Sequence, residues 1–199
     1  YEQIAFQFSH HTVNDDGKMK HEEWICAEPG IFPNFEFVKA LKLQLEKDEG
    51  TIFRYAHHEN TVLRQVQKQM EDQDPDKYGE WIEWIETITQ WKDEDKIQHV
   101  SDRNMVDMWS VLKKHYYHPL MRGSNSIKAV LPAIFQTSKV IKDKYTNPLD
   151  CGINLKGMTL WQKDSEAGVV KDPYKMLPDK FQGLDLKMDE LVQIGRAHV

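Results

Sequence analysis

The stretch Gly50 to Leu63, GTIFRYAHHENTVL, changes its period in mid-course, and this change demands a strand-to-helix junction in the first half of the chain. Thr51-Ile52-Phe53-Arg54-Tyr55 is rich in β-branched and aromatic residues, as strands are. Val62, Leu63, Val66 and Met70 then recur at helical spacing. Glu59 falls between the two patterns. Counting back from Leu63 and Val66 puts it on the apolar helical face, which predicts a carboxylate directed toward the sheet. A carboxylate so directed requires a partner.

Upstream, Ile4, Phe6 and Phe8 alternate with Ala5, Gln7 and Ser9, predicting a strand whose apolar face carries the first three. Asn14-Asp15-Asp16-Gly17 predicts a hairpin turn into a second strand from Met19 to Cys26. Asn34 is expected to cap a helix with Phe35, Val38, Leu41 and Leu45 along one face, ended by Gly50. Beyond the junction helix, Glu59 to Asp72, a third helix is expected from Lys77 to Trp91. Tyr78, Trp81, Ile82, Ile85 and Ile88 form its stripe, widened by Trp84 and Trp91, and packing on the body is favoured over binding a partner.

Asp93 to Lys96 reads as a solvated charge run. Asn104 to Trp109 reads as a short strand, followed by a helix capped by Ser110 and ended by Pro119. Another helix opens after Gly123-Ser124-Asn125-Ser126 and is limited or kinked at Pro132. Later, only a strand near Leu155 to Trp161 and a short helix near Asp185 to Val192 are expected. The order strand, strand, helix, strand, helix, helix, strand, helix implies a mixed α/β layer fold whose first strands form a hairpin.

At 199 residues, with 40% hydrophobic and 29% charged, the chain suits one globular domain, expected over residues 1–193. The last six residues, Ile194 to Val199, match the translation of a sequencing adapter, ATC GGA AGA GCA CAC GTC, and are expected to belong to no fold. Tyr1 is no start methionine and Gln3 to Val13 is already in mid-sheet rhythm, so a fragment is expected. No apolar run approaches the roughly 18 residues a membrane span needs, and the expected location is cytoplasmic. Cys26 and Cys151 have no C-x-x-C spacing and read as buried thiols. A net charge of −6 argues against a broad nucleic-acid-coating surface, while permitting a nuclease whose active site is a cluster of metal-binding acids.

Four blocks stand in order: IAFQFSHH, FRYAHHENTVL, RNMVDMWSVLKKHYYHPLMRGSNSIKAVLPAI and VVKDPYKMLP. Together they resemble the bacterial family catalogued as domain of unknown function 2779, over about nine-tenths of the chain. That family is similar to ribonuclease H-like exonucleases of the four-acid (DEDD) type. The resemblance implies an α/β, ribonuclease H-like mixed sheet flanked by helices, incomplete in lacking its first strand and last helix. It also implies 3'-5' exonuclease-like hydrolysis of DNA or RNA, with carboxylates holding two divalent ions, magnesium or manganese. A D-x-E motif would precede Gln3 and a last acid would follow Gln193, so only the second acid of the set, matching Glu59, lies within the chain. Much of the family has an asparagine and an aromatic residue before this acid, where Ala56, His57 and His58 stand here. The fragment itself is expected to be inactive, with a possible partner domain in the full-length protein. The alternative is a non-catalytic nucleic-acid- or protein-binding module of the same fold.

On this reading Glu59 is the metal ligand and a catalytic acid; its other role is an acid favoured by the helix dipole, worth about 0.3 to 1 kcal/mol. His58 and His57 could relay a proton or ligate metal, and with His10, His11 and His118 could form a zinc site, though no ligand spacing supports one. Asp107, at a strand end, either orients a metal-bound water or serves as a helix cap or ion-pair partner. Ser124, Ser126 and Lys128 suit a phosphate at a helix N-terminus, or else plain capping. Tyr116, Tyr117 and His118 either stack on the bases of a single strand or belong to the core.

Overall fold

The computed structural model describes residues 3–149, 155–165 and 168–177. The chain divides into two compact units, Tyr1–Ile127 and Lys128–Val199. Among the described residues the architecture is mixed α/β, with six α-helices and small two-stranded sheets. No helix among them is long and apolar enough to cross a membrane.

The first unit opens with an antiparallel hairpin, β1 (Gln7–Val13) and β2 (Met19–Ile25). Its turn closes where expected: the Asn14 side chain accepts from the Lys18 N–H at 2.8 Å, and Gly17 takes φ +74. The strand begins later than the alternation predicts, and its approach has the opposite parity. Ala5 is buried and Ile4 exposed. The cause is Asn34, which is buried in the first turn of α1 (Asn34–Leu45) and does not cap it. Its Oδ1 accepts from the Ala5 N–H at 2.7 Å, and its Nδ2 donates to the Gln3 carbonyl at 2.9 Å and to Gln69 at 2.6 Å.

Phe35 and Val38 of α1 are buried as the stripe predicts, with Leu41 and Leu45 packed beside them; Phe37 joins through Phe8 and Trp24. α2 (His58–Gln73) and α3 (Pro75–Ile88) form a helical hairpin. Asp74 caps α3 by accepting from the Lys77 N–H at 3.0 Å, with Pro75 in the first turn, where its missing N–H costs nothing. Val66, Met70, Ile85 and Ile88 are wholly buried, each worth about 1.5–3 kcal/mol against exposure.

The α3 stripe lies where its spacing predicts: Tyr78, Ile85 and Ile88 are buried, Trp84 widens the stripe within the core, and Trp81 and Ile82 pack half-buried against it. The helix stops at Ile88, because Gln90–Lys92 (β4) pairs with Gln98–Val100 (β5). The expected charge run is the turn of this hairpin, with the Asp93 carboxylate accepting from the Ile97 N–H at 2.8 Å. Cys26 is half-buried.

A short parallel pair joins β3 (Phe53–Arg54) to β6 (Val106–Asp107), and β6 runs directly into α4 (Met108–His115). The strand expected over Asn104 to Trp109 is therefore only two residues long, since Asp107 already caps a helix. Ser110 lies inside that helix.

In the second unit, α5 (Ile127–Thr137) contains Pro132 and buries Val130, Ala133 and Phe135. Ser138 caps α6 (Lys139–Tyr145), and the Trp161 indole donates to the Phe135 carbonyl at 2.9 Å. Leu155 to Trp161 is turn and irregular chain, not the expected strand; the nearby sheet-like pairing is a single bridge, Lys163 to Val170. The helix expected near Asp185 to Val192, Cys151 and the last six residues lie outside the described residues.

Candidate functional site

The junction that the sequence singles out is held from behind by an arginine inside the strand. Arg54 is 6% exposed and stands opposite Asp107 in the parallel pair. Its guanidinium donates to the Ala56 carbonyl and lies 3.9 Å from Asp107 Oδ2, while its Nε has no protein partner. Asp107 Oδ1 accepts from the N–H groups of Ala56 (2.9 Å) and Trp109 (3.0 Å), and Oδ2 accepts from the Ser110 hydroxyl (2.8 Å). Burial alone would raise the Asp107 pKa. The Ser110 hydroxyl, the Ala56 N–H, the Arg54 charge and the Trp109 N–H together outweigh it and hold the carboxyl below its ordinary value.

Ala56 sits at φ +69, a left-handed conformation that a residue with a Cβ rarely adopts, and Tyr55 donates its hydroxyl to the Asn125 carbonyl at 2.6 Å. The turn is thus fixed at three successive residues.

Glu59 is not directed inward. It is exposed in the first turn of α2, as are His57 and His58. The helical phase is the expected one, for Leu63, Val66 and Met70 line the core. But side chains lean toward the helix N-terminus, and a first-turn residue leans past the end of the helix into solvent. Asp107 is bound as a cap and ion-pair partner through both oxygens. Among the described residues no three His, Cys, Asp or Glu side chains are grouped to hold a metal ion, so the five-histidine zinc cluster does not form.

The α4 end is arranged differently. Tyr116 and His118 have extended backbone, so their side chains share one side of the chain and Tyr117 takes the other; Tyr117 is 76% exposed. Tyr116 is half-buried, with its hydroxyl unpartnered. His118 caps the 3-10 turn Pro119–Met121, its Nδ1 accepting from the Leu120 N–H at 3.2 Å, which leaves Nε2 as the N–H donor. Lys113 lies over the Trp109 ring at 4.0 Å. Lys114, Arg122, Ser124, Ser126 and Lys128 are exposed, and Ser124 Oγ accepts from the Ser126 N–H at 3.3 Å.

An open groove of about 520 Å³ passes Asn60, Arg64 and Lys68 on α2. Its cations are already engaged, Arg64 with Glu86 and the Trp91 ring and Lys68 with Asp72, which leaves little charge for a ligand.

Arg54 and Asn34 are the two site-shaping residues not assigned these roles from sequence. The only signal for Arg54 was a cation in the middle of an apolar strand pattern, TIFRY. Asn34 gave none beyond its place at a helix start.

No curated protein and no solved structure matches the chain. A family model does match, over residues 1–126, a shorter span than the resemblance suggested and one that ends beside the boundary between the two units. Its description is a domain of unknown function, DUF2779, and the chain belongs to that family.

Proposed function

We propose that the unit Tyr1–Ile127 is a nucleic-acid-binding module of ribonuclease H-like arrangement, and that it takes a single strand along the stretch from α4 to Arg122. Charge carries this reading. From Met108 to Lys142 the sequence contains no Asp or Glu, in a chain of net charge −6. Lys113, Lys114 and Arg122 make no ion pair with described residues; Lys18, Lys20, Lys77, Lys92 and Lys96 make none either, but each of these has an Asp or Glu within three residues in the sequence. Such uncompensated cations attract phosphates, and an exposed tyrosine offers a face on which any base can stack. The fold-level part rests on the order hairpin, helix, strand, helix and on the parallel β3–β6 pair, and is analogy.

Fluorescence anisotropy with labelled single-stranded DNA and RNA tests it. Affinity is expected to fall with salt by about 0.7 in log–log slope per phosphate contact, so Lys113→Ala with Lys114→Ala flattens the slope by roughly 1.4. Tyr117→Ala is expected to cost about 1–3 kcal/mol. Absence of binding at low salt, or binding indifferent to these changes, sinks the reading.

The exposure of Glu59 on the first turn of α2 favours a second reading, a metal-dependent nuclease using magnesium or manganese. Both ions take several oxygen ligands, and Asp107 has both of its own bound within the protein. Glu59 would therefore be one ligand among others from outside the described residues. Manganese-dependent degradation of labelled strands by a full-length protein, lost in Glu59→Gln, is the expected result; unchanged degradation removes Glu59 from the site.

A further inference from the structure

The outer face of the β1–β2 hairpin carries two histidines directly opposite one another, His11 and His21. The ladder tells which kind of pair they make. Cys26 donates its N–H to the Phe6 carbonyl at 2.8 Å, and Asn14 donates to the Lys18 carbonyl at 3.1 Å. Those two pairs are hydrogen-bonded, and alternation along the ladder makes His11 and His21 a non-hydrogen-bonded pair. At such positions the Cα atoms approach to about 4.5 Å and the side chains run closer together than at hydrogen-bonded ones. The imidazole centroids are 4.6 Å apart with their planes at 45°.

A third residue shares this face. Glu23, two residues beyond His21, has Oε2 3.3 Å from His21 Nε2. With Nε2 protonated toward that carboxylate, the lone pair of His21 is on Nδ1. A carboxylate that fixes the tautomer of one ring nitrogen and leaves the other as donor is the usual support of a metal-binding histidine. No lysine or arginine shares the face, whose remaining strand residues are Gln7, Ser9, Val13, Met19 and Ile25.

We propose that His11 and His21 chelate a late first-row divalent ion of the zinc, nickel or copper class, with water completing the coordination and Glu23 orienting His21. Imidazole suits these ions, whereas magnesium and manganese prefer oxygen. The ion ties two strands that pair only with each other among the described residues, and it stabilises the hairpin by mass action. The site is independent of the nucleic-acid stretch.

Calorimetric titration of the full chain with zinc, nickel and copper chlorides tests it, with magnesium as control. Binding is expected for the first three. His11→Gln and His21→Gln are each expected to weaken it by at least about tenfold, no less than the loss of an outer-shell partner costs. His10→Gln, one residue away on the opposite face, and His57→Gln with His58→Gln should leave it unchanged. Nitrogen-15 NMR of the imidazoles gives a readout that does not depend on variants folding: zinc should shift His21 Nδ1 and a ring nitrogen of His11. Unshifted His11 and His21 nitrogens, or wild-type affinity retained in His11→Gln or in His21→Gln, overturn the proposal.

Discussion

Arg54 and Asp107 stand opposite each other on neighbouring parallel strands, and each grips one side of the same residue: the guanidinium takes the Ala56 carbonyl, the carboxylate the Ala56 N–H. The strand-to-helix turn is thereby clamped by a charge pair set behind it. The two partners are not equivalent. Removing Asp107 leaves a buried cation, while removing Arg54 leaves a carboxylate that still accepts three hydrogen bonds.

Asp107→Ala is therefore expected to destabilise the fold by about 3 kcal/mol, the low end for breaking a buried pair, since the pair is long and the aspartate partly exposed. Arg54→Met should cost clearly less. Urea denaturation of the two variants checks the order, and a larger loss for Arg54→Met contradicts it.

The same carboxylate sets an acid limb to stability. Its pKa is lowered in the folded protein, so the folded state binds that proton less readily than the unfolded chain. The contribution is fully present above the ordinary aspartate value of about 3.9 and disappears as pH falls through the lowered folded value. Asp107→Asn, which cannot titrate, should flatten this limb in denaturation series taken between neutral and acid pH. An unchanged limb assigns it to other acids.

Ala56 holds φ +69, where a Cβ costs about 1–2 kcal/mol relative to the right-handed form. Glycine removes that cost and adds about 0.5–1 kcal/mol of unfolded-chain entropy. Ala56→Gly is thus expected to stabilise slightly, by about 0.5 kcal/mol, seen as a small rise in melting temperature. Clear destabilisation would mean the methyl packs.

The hairpin, the helix stripes and the central junction could be read from the sequence because each rests on periodicity within a few residues. Arg54 could not, because its partner lies across a parallel pairing that no local pattern encodes. Glu59 failed for the opposite reason: its helical phase was legible, but burial of a first-turn side chain depends on what lies beyond the helix end. Trp91 was absorbed into α3 because a strand of three residues leaves too short a pattern to compete with a helical stripe. The basic stretch from Lys113 to Arg122 was not singled out in the sequence, although its signal, the absence of Asp and Glu from Met108 to Lys142, needs no structure; a helical and turn pattern drew attention to capping and stacking residues instead.

Asn34 provides the last test, because its role is the reverse of the cap expected of an asparagine at a helix start. A capping asparagine replaced by alanine costs typically about 1 kcal/mol, and replacement by aspartate or serine is tolerated. Asn34 instead donates and accepts in a fully buried position, tying the chain before β1 to α1 and to Gln69 of α2. Alanine would leave the Ala5 N–H without its partner, at about 1–3 kcal/mol, while the Gln3 carbonyl keeps the Gln69 side chain at 3.4 Å. Aspartate would keep the acceptor for Ala5 but set a negative charge against the Gln3 carbonyl. Asn34→Asp should therefore destabilise at least as much as Asn34→Ala, and amide exchange of Ala5 should accelerate in the alanine variant before the hairpin amides change. If aspartate behaves like the wild type, Asn34 is only a cap, and the segment before β1 is held by something else.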